Sequence, residues 1–366
     1  MRPLLCREKH EISDESWSRF LNLKSHLDDF KATRTKNEDD LTSWQTIQLM
    51  SQATSKYSGV QENIGSIQEM LSRVMINSHT LTTPTLDPLG LYLDPLTALL
   101  NHSCTPNACL VFDGNNLNLR SLIHIPADTE LSISYIDTTN STQERRQELQ
   151  SRYFFTCKCL SCTKDLTNGA PDQPDSAHRR HIVERVFNLQ KEASVLPLSD
   201  SKAKFDEAVS LLRAESFPIT RQPYPALLHS CFLAAVAFQD WISALRSAVQ
   251  IHRHIGLKQY HQSHHPVNVV RNWVLLRLVV HIAGLASEND QKVMTLRRAG
   301  VNYMLISVSL WRQVSGDAEK SHGSNSQFAR HVAAFGQDVG IAGQVVDIHE
   351  LTNEWTKLSK AIGIRE

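Results

Sequence analysis

Four cysteines constrain the fold of this chain more than any other feature. Three of its seven cysteines, Cys157, Cys159 and Cys162, lie within six residues in a C-x-C-x-x-C pattern. A fourth, Cys104, lies upstream in the block Asn101-His102-Ser103-Cys104-Thr105-Pro106-Asn107. Short spacings let one turn of backbone present several sulfurs to one ion, and four thiolates at about 2.3 Å form a closed structural zinc site. Zinc here would join two distant segments and contribute directly to folding.

Two other interpretations of the cysteines are disulfides and clustered thiols without a metal. Disulfides are typical of small secreted domains, whereas this sequence has an odd number of cysteines and no recognisable signal peptide. Chance burial accounts for a single cysteine but poorly for three within six residues. The spacing therefore favours zinc, while from spacing alone the fourth ligand stays open.

The residues between the cysteines alternate between helix and strand signals. Asp94 and Pro95 predict the start of a helix, and Leu96, Leu99 and Leu100 its apolar face. The polar Asn-His-Ser that follows favours leaving the helix.

Three apolar runs then predict half-buried strands of a small antiparallel sheet, at residues 108–112, 117–125 and 131–137. The turn 113–115 separates the first two runs. After them, Ser141 and Glu144 form a capping-box pattern that predicts a basic helix extending to Arg152.

Helical patterns occupy most of the remaining sequence. Near the N-terminus they predict helices at 14–30, 41–57 and 64–77, with a solvated loop at 31–40. From residue 178 onward we expect a degenerate, tetratricopeptide-like array with breaks near 197–200, 216–225, 257–266, 287–290 and 316–325. The predicted units are a helical segment 1–80, a strand-rich core 81–139, a metal segment 140–165, a linker 166–177 and a helical domain 178–366.

Three blocks, in this order and spacing, resemble the SET-and-MYND family of protein-lysine methyltransferases. They are the Asn-His-Ser-Cys-x-Pro-Asn block at 101–107, Ile-Ser-Tyr-Ile-Asp at 133–137 and Tyr-Phe-Phe-x-Cys-x-Cys-x-x-Cys at 153–162. The resemblance implies an α+β fold, with a partial SET domain made of small antiparallel sheets and a knot-like crossing. It further implies a helical insert, a zinc-bound post-SET segment and an all-α C-terminal domain. It also implies that Cys104 joins the other three cysteines on one zinc ion.

The resemblance implies methyl transfer from S-adenosylmethionine to a lysine amine of a protein. Tyr135 matches the catalytic tyrosine, and Tyr153 matches a residue of the lysine channel. The residues that the resemblance implies for holding the methyl donor are Asn77, Asn101, His102, Tyr135 and Phe155. Apart from the resemblance, Asn77 would be an ordinary helix-ending residue and Tyr135 a plain strand aromatic.

The chain departs from the family pattern near its start. A Gly-x-Gly segment and a MYND finger are expected there, but the first glycine is Gly59 and Cys6 alone cannot form a finger. We therefore expect this 366-residue chain to bind the donor poorly. The alternative function is a non-catalytic SET-derived module that binds a protein partner.

Charge and hydropathy narrow the classes of partner. The chain has 38 basic and 38 acidic residues, so no net charge drives it toward nucleic acid or an anionic membrane. Its longest apolar run, Trp273 to Ala286, is interrupted by Arg277 and His281 and is too short to span a bilayer. We expect a protein partner and a cytoplasmic or nuclear location. A trio of histidines at 261, 264 and 265 suggests a metal site less than a polar surface turn, because no acidic or cysteine partner lies nearby.

Overall fold

A computed structural model describes residues 12–32, 42–59, 62–167, 177–287 and 293–364 of the chain. The N-terminal helices within these described residues are α1 (Asp14–Leu21), α2 (Leu27–Ala32), α3 (Ser43–Tyr57) and α4 (Ile64–Asn77). Helices α3 and α4 agree with the predicted ranges. Most of the predicted loop at 31–40 lies outside the described residues.

The single helix predicted at 14–30 is wrong. It ends at Leu21, and His26 adopts a left-handed φ of 51° before α2 begins. Ser13 rather than Asp14 caps α1, because its hydroxyl accepts a hydrogen bond from the Ser16 backbone N–H at 3.2 Å. The break lets α2 turn Phe30 into a small core formed with buried residues of α3 and α4.

Six short strands form three two-stranded sheets between the helices. The strands are β1 (His79–Thr82), β2 (Pro88–Tyr92), β3 (Asn101–His102), β4 (Ala108–Asp113), β5 (Asn116–Ser121) and β6 (Ser132–Ile133). The pairs β1–β2 and β4–β5 are antiparallel, whereas β3 and β6 pair in parallel. The predicted third strand at 131–137 is therefore shorter than expected, and its assignment to an antiparallel sheet is wrong. The β1–β2 hairpin was not predicted.

The helix predicted from Pro95 is reduced to a single 3-10 turn, Thr97–Leu99. Asp94 does cap this turn, since its carboxylate accepts from the Thr97 N–H at 2.8 Å. The predicted apolar face does not form, because Leu96 is 66% exposed and Leu99 is 67% exposed. The chain must enter β3 only two residues after the turn, which leaves no room for a longer helix.

The loop 101–107 passes beside the segment that carries Tyr135. Residues Asn101 and His102 pair with β6, and the Ser103 N–H donates to the Ile133 carbonyl at 2.9 Å. The buried side chain of Asn107 reinforces this crossing from the far end of the loop. Its Nδ2 donates to the Glu130 carbonyl at 2.8 Å, and its Oδ1 accepts from the Ser132 N–H at 2.8 Å. Two distant segments are thereby held side by side.

The capping box at Ser141 and Glu144 is present and starts α5 (Thr142–Tyr153). Phe154 ends this helix in the left-handed conformation, at φ 59°, and redirects the chain toward Cys157. A further helix, α6 (Leu160–Thr167), continues through residues 166 and 167, which were assigned to the linker. The remainder of that linker, 168–176, lies outside the described residues.

The C-terminal region is an all-helical array. Its members are α7 (Ala177–Val195), α8 (Leu198–Ala214), α9 (Tyr224–Ala237), α10 (Trp241–Gln250), a π-helical turn (Ile251–Ile255), α11 (Gly256–Gln259), α12 (Pro266–Ser287), α13 (Met294–Arg298), α14 (Tyr303–His322), α15 (Gln327–Asp338) and α16 (Ile348–Ala361). The break predicted at 316–325 is wrong over most of its length. Helix α14 continues to His322 because Asp317, Ala318 and Ser321 are buried against its neighbours. The break predicted at 287–290 falls largely outside the described residues.

Two buried clusters stabilise the array. The first joins α7, α8 and α9, and the second surrounds α12 and α14, with Trp273 at 2% exposure. In the described part of the chain, Pro266–Ala286 of α12 is the one helix long and apolar enough to cross a membrane, and half of it is buried inside the fold. Core helices of soluble proteins meet the same criterion, so this is weak evidence for a membrane span.

The array packs directly onto the strands. The Arg120 guanidinium of β5 donates to the Lys320 carbonyl of α14 at 2.8 Å, and His322 Nε2 lies 3.1 Å from the Pro84 carbonyl. The Gln327 N–H at the start of α15 donates to the Asp113 carboxylate at 3.0 Å. These contacts join α14 and α15 to the strand region.

Candidate active site and four-cysteine cluster

A cavity of about 1250 Å³ lies between the strands and the helical array. Its lining includes the six residues that sequence analysis proposed for the donor and the lysine channel: Asn77, Asn101, His102, Tyr135, Tyr153 and Phe155. The array adds Tyr260 and His265 to the same wall. Pockets for drug-sized ligands typically measure about 300–1,000 Å³, so this cavity has room for a nucleoside and a side chain together.

Tyr135 is held in the centre of an aromatic group. Its hydroxyl donates a short hydrogen bond to the Leu100 carbonyl, and its ring centroid lies 5.0 Å from that of Tyr153 and 5.3 Å from that of His102. Burial, together with the neighbouring Tyr153 and Glu130, raises the pKa of Tyr135 to about 12. The phenol is therefore neutral at physiological pH, and its oxygen retains lone pairs that can accept a hydrogen bond.

His102 lies between Tyr135 and the cysteines. Its Nδ1 is 3.1 Å from the Tyr135 backbone nitrogen, and its Nε2 is 3.3 Å from the sulfur of Cys104. The ring also contacts Phe155, with 6.0 Å between the centroids. Burial, with a smaller contribution from Arg145, lowers the pKa of His102 to about 4, so the imidazole is neutral at physiological pH.

The two asparagines of the cavity lining are held by different segments. Asn101 is exposed, and its Nδ2 donates to the Glu130 carboxylate at 2.6 Å. Asn77 ends α4, where its Nδ2 donates to the Lys24 carbonyl at 3.0 Å and to the Arg73 carbonyl at 2.8 Å. Asn77 thus joins the α1–α2 connection to the cavity wall.

The four cysteines converge on one point. Their sulfurs all lie within 4.8 Å of one another, with 3.6 Å between Cys104 and Cys162 and 4.0 Å between Cys104 and Cys157. Tetrahedral ligation at about 2.3 Å requires sulfur separations of about 3.8 Å, close to those observed. In the described residues this is the one group of three or more potential ligands that meets this distance criterion.

The protonation of the cluster also fits a cation. Burial and the three neighbouring thiols raise the pKa of Cys104, because burial penalises the thiolate and several thiolates crowded together repel one another. Cys159 differs: burial raises its pKa, but hydrogen bonds from the backbone of Cys162 and Cys104 outweigh this and lower it to about 7. A divalent metal would remove the repulsion and keep all four sulfurs deprotonated.

The histidine trio does not form a metal group among the described residues. His264 Nε2 lies 3.1 Å from the Leu122 carbonyl, and His265 stacks on Tyr260 with 4.2 Å between the ring centroids. The first contact joins the array to the strands, and the second forms part of the cavity wall.

Sequence reasoning missed two residues that support the site. Arg145 of α5 is buried beside Cys104 and Cys162, and it donates to the Asn140 carbonyl at 2.6 Å. In sequence it is one of several basic residues in a polar helix, and no pattern distinguishes it. Asn107 closes a motif that sequence analysis quoted, and only the crossing reveals which groups it bonds.

Comparison with known proteins agrees with the resemblance. The SET domain family model matches residues 3–136, which include the N-terminal helices as well as the strands. The chain is 33% identical over 150 residues to the SET domain and MYND-type zinc finger protein 6 of Schizosaccharomyces pombe, covering 41% of this chain and 29% of that protein. It is 27% identical over 266 residues to the human N-lysine methyltransferase SMYD2, covering 69% of this chain and 59% of that protein.

A third relative is the Histone-lysine N-methyltransferase ASHR1 of Arabidopsis thaliana, which is 39% identical over 101 residues. That match covers 28% of this chain and 21% of the plant protein. The matched part of the chain thus spans less than two thirds of the length of each of these relatives.

Proposed function

We propose, from the premise that this chain is a SET-domain protein of the SET-and-MYND type, that it transfers methyl groups to lysine amines of proteins. The observation that carries the proposal is the single cavity that brings Tyr135, His102 and Phe155 together beside the cysteine cluster. Two of the compared relatives are named as lysine methyltransferases, which agrees with this chemistry.

The first task of such a site is to accept a lysine amine without its charge. A lysine in water has a pKa near 10.4, so almost all of it is protonated and cannot act as a nucleophile at neutral pH. Burial in this cavity raises the pKa of Tyr260 to about 12 and lowers that of His265 to about 4. The same desolvation penalises an ammonium group in the cavity and favours the neutral amine.

The second task is to orient the amine. The Tyr135 hydroxyl donates to Leu100, so its oxygen points a lone pair into the cavity, where it can accept a hydrogen bond from the amine. Tyr153 Oη donates to the Tyr135 carbonyl at 3.3 Å and keeps the two rings together as a channel wall. Alignment of reactants in this way accounts for a large part of rate enhancement in bimolecular reactions.

S-Adenosylmethionine, when bound, supplies an electrophilic methyl group on a sulfonium sulfur. Asn77, Asn101, His102 and Phe155 would hold it, since all four line the cavity that Tyr135 enters. The aromatic ring of Phe155 offers a face for the adenine, and the β3 backbone beside Asn101 and His102 offers hydrogen-bonding groups. The four cysteines would hold zinc as a structural ion that fixes the segment carrying Phe155.

The proposed partner is a protein that presents a lysine, and the proposed location is the cytoplasm or the nucleus. The aromatic lining of the cavity suits an unbranched side chain better than a nucleotide base pair or a lipid headgroup. Neither location nor partner requires a charged docking surface, in keeping with the balanced composition of the chain.

The test is methyl transfer from isotopically labelled S-adenosylmethionine, in excess, to lysine-containing peptides and to a protein extract. We expect transfer that Tyr135→Phe reduces by about 10²-fold, because the amine loses the oxygen that orients it. Tyr57→Phe is the matched control, since Tyr57 is 74% exposed and is not among the residues that line the cavity. Donor binding, followed by calorimetry, should survive Tyr135→Phe. Equal transfer by the two variants, or no transfer to any lysine, would refute the proposal.

A further inference from the structure

His102 contacts both the cysteine cluster and the Tyr135 backbone from the cavity wall. Its Nδ1 lies 3.1 Å from the Tyr135 nitrogen, and its Nε2 lies 3.3 Å from the Cys104 sulfur. Both distances are within reach of a hydrogen bond, the second because sulfur is a larger acceptor than oxygen.

The two contacts together determine where the imidazole carries its hydrogen. A backbone N–H can only donate, so Nδ1 must accept from Tyr135 and cannot carry a hydrogen itself. In a neutral imidazole the hydrogen then lies on Nε2, which faces the sulfur of Cys104. A metal-bound thiolate has no hydrogen and can only accept. The tautomer with its hydrogen on Nε2 therefore satisfies both hydrogen bonds when Cys104 is a metal-bound thiolate.

We propose that His102 is a positioning residue that couples metal occupancy of the four-cysteine cluster to the placement of Tyr135. This inference rests on the zinc site within the proposed function and assigns to the His102 side chain a role separate from holding the methyl donor. Metal ligands generally depend on such outer hydrogen bonds, which orient them and stabilise their charge. Here the outer residue, His102, also accepts a hydrogen bond from the backbone of Tyr135, the residue proposed to orient the lysine amine.

The coupling follows from a comparison of the metal-bound and metal-free states. With metal bound, the Cys104 thiolate accepts from His102 Nε2–H, and Nδ1 then holds the Tyr135 N–H. Without metal, no ion fixes the Cys104 sulfur against the other three cysteines, so the 3.3 Å contact between that sulfur and His102 Nε2 is no longer held in place. The imidazole is then free to rotate, and Tyr135 loses one of the contacts that keep its hydroxyl against the Leu100 carbonyl.

Arg145 offers a built-in comparison. It interacts with Cys104 and Cys162, and its guanidinium donates hydrogen bonds to Asn140, Thr142 and Ser161. It therefore supports the cysteine cluster through groups outside the His102–Tyr135 contact. A variant at this position should affect the metal alone.

The experiment uses the full zinc-loaded chain and measures two rates. The first is zinc release to a chromophoric chelator, and the second is hydrogen exchange of the Tyr135 amide by ¹⁵N NMR. His102→Phe retains an aromatic ring but removes both nitrogens, and we expect it to release zinc about 10–100-fold faster. It should also accelerate Tyr135 amide exchange while zinc is still bound. Arg145→Lys should accelerate zinc release only.

The matched control is His252→Phe in the helical array. His252 is also largely buried, stacks on Trp355 at 5.4 Å between centroids and is hydrogen-bonded to Asn272 at 2.7 Å. Its replacement should alter neither rate. Zinc release from His102→Phe at the wild-type rate, or unchanged Tyr135 exchange in that variant, would overturn the proposal.

A second measurement needs no substitution and therefore no assumption that a variant folds. Replacing zinc by cadmium in the wild-type chain changes the charge density on the Cys104 sulfur. The His102 Nε2–H resonance should shift on this exchange, whereas the His252 resonances should not. An unchanged chemical shift of the His102 Nε2–H resonance would refute the proposal. None of these readouts involves methyl transfer, so a chain that methylates nothing could still show the coupling.

Discussion

Asn107→Ala tests whether the crossing of the two segments depends on one buried amide. Asn107 is 9% exposed and makes two hydrogen bonds of 2.8 Å, one to the Glu130 carbonyl and one from the Ser132 N–H. The alanine variant leaves that N–H and that carbonyl without their partner. A buried unsatisfied group costs about 1–3 kcal/mol, and water that enters at the partly open edge recovers some of it. We expect the free energy of unfolding to fall by about 2–4 kcal/mol.

The assay is urea unfolding followed by circular dichroism, with the midpoint and the slope fitted separately. A true loss of stability lowers the midpoint and leaves the slope unchanged. Asn107→Asp is the informative second variant, because it retains an acceptor for Ser132 but places a carboxylate oxygen against the Glu130 carbonyl. We expect it to be no more stable than the alanine variant. Asn115→Ala, at the exposed β4–β5 turn, is the control and should stay within about 0.5 kcal/mol of wild type. A loss below about 1 kcal/mol at Asn107 would refute the reasoning.

Three further changes test other parts of the fold. Gly336→Ala places a Cβ 2.2 Å from the Trp311 ring and should lower the melting temperature, at a cost of about 1–3 kcal/mol in stability. Gly284→Ala, whose Cβ meets no atom within 4 Å, is the control and should leave the melting temperature unchanged or higher. Equal melting temperatures for the two variants would contradict this reasoning. Burial lowers the pKa of His322 in the folded protein below its usual 6.5. The stability that the neutral side chain contributes is therefore complete above about pH 6.5 and is lost as the pH falls toward the pKa of the folded state. His322→Gln should therefore shrink the difference between urea midpoints at about pH 7.5 and about pH 5.5, and an unchanged difference would count against it. Removing zinc with a chelator, or by Cys159→Ser, should expose residues 154–167 to proteolysis before the helical array unfolds, because the proposed ion holds that segment. Equal protection of this segment with and without metal would argue against zinc.

The sequence blocks predicted the cluster and the cavity well because their chemistry is local and specific. A C-x-C-x-x-C run can present three sulfurs to one ion whatever surrounds it, so only Cys104 needed the fold to place it. The predicted donor and channel residues line one cavity because the β3–β6 pairing brings two of the three blocks together, and α5 leads into the third. Their individual roles stay predictions.

The parts that sequence reasoning missed depend on contacts between distant segments. The strand at 132–133 was placed in an antiparallel sheet because alternation reveals a strand but not its partner or direction. The β1–β2 hairpin was missed because it does not follow the rule that apolar residues of a strand face the core. Its leucines Leu89 and Leu91 are 65% and 70% exposed. Arg145 was not singled out, and a break was predicted at 316–325 where α14 continues to His322, because tertiary packing outweighs local propensity at both places.

The helical array is part of the proposed site rather than an appendage to it. Tyr260 and His265 close one wall of the cavity, and Asn268 holds their turn by donating to the Tyr260 carbonyl at 2.8 Å and to the Gln262 carbonyl at 3.0 Å. Arg271 packs over the Tyr260 ring at 5.6 Å, so even this cation is shielded by an aromatic face. A neutral lysine amine requires a poorly hydrated cavity, and the strands alone would leave this wall open to water. In the proposed function, the contacts between α14 and the strands therefore help to keep the amine neutral, together with the aromatic residues beside Tyr135.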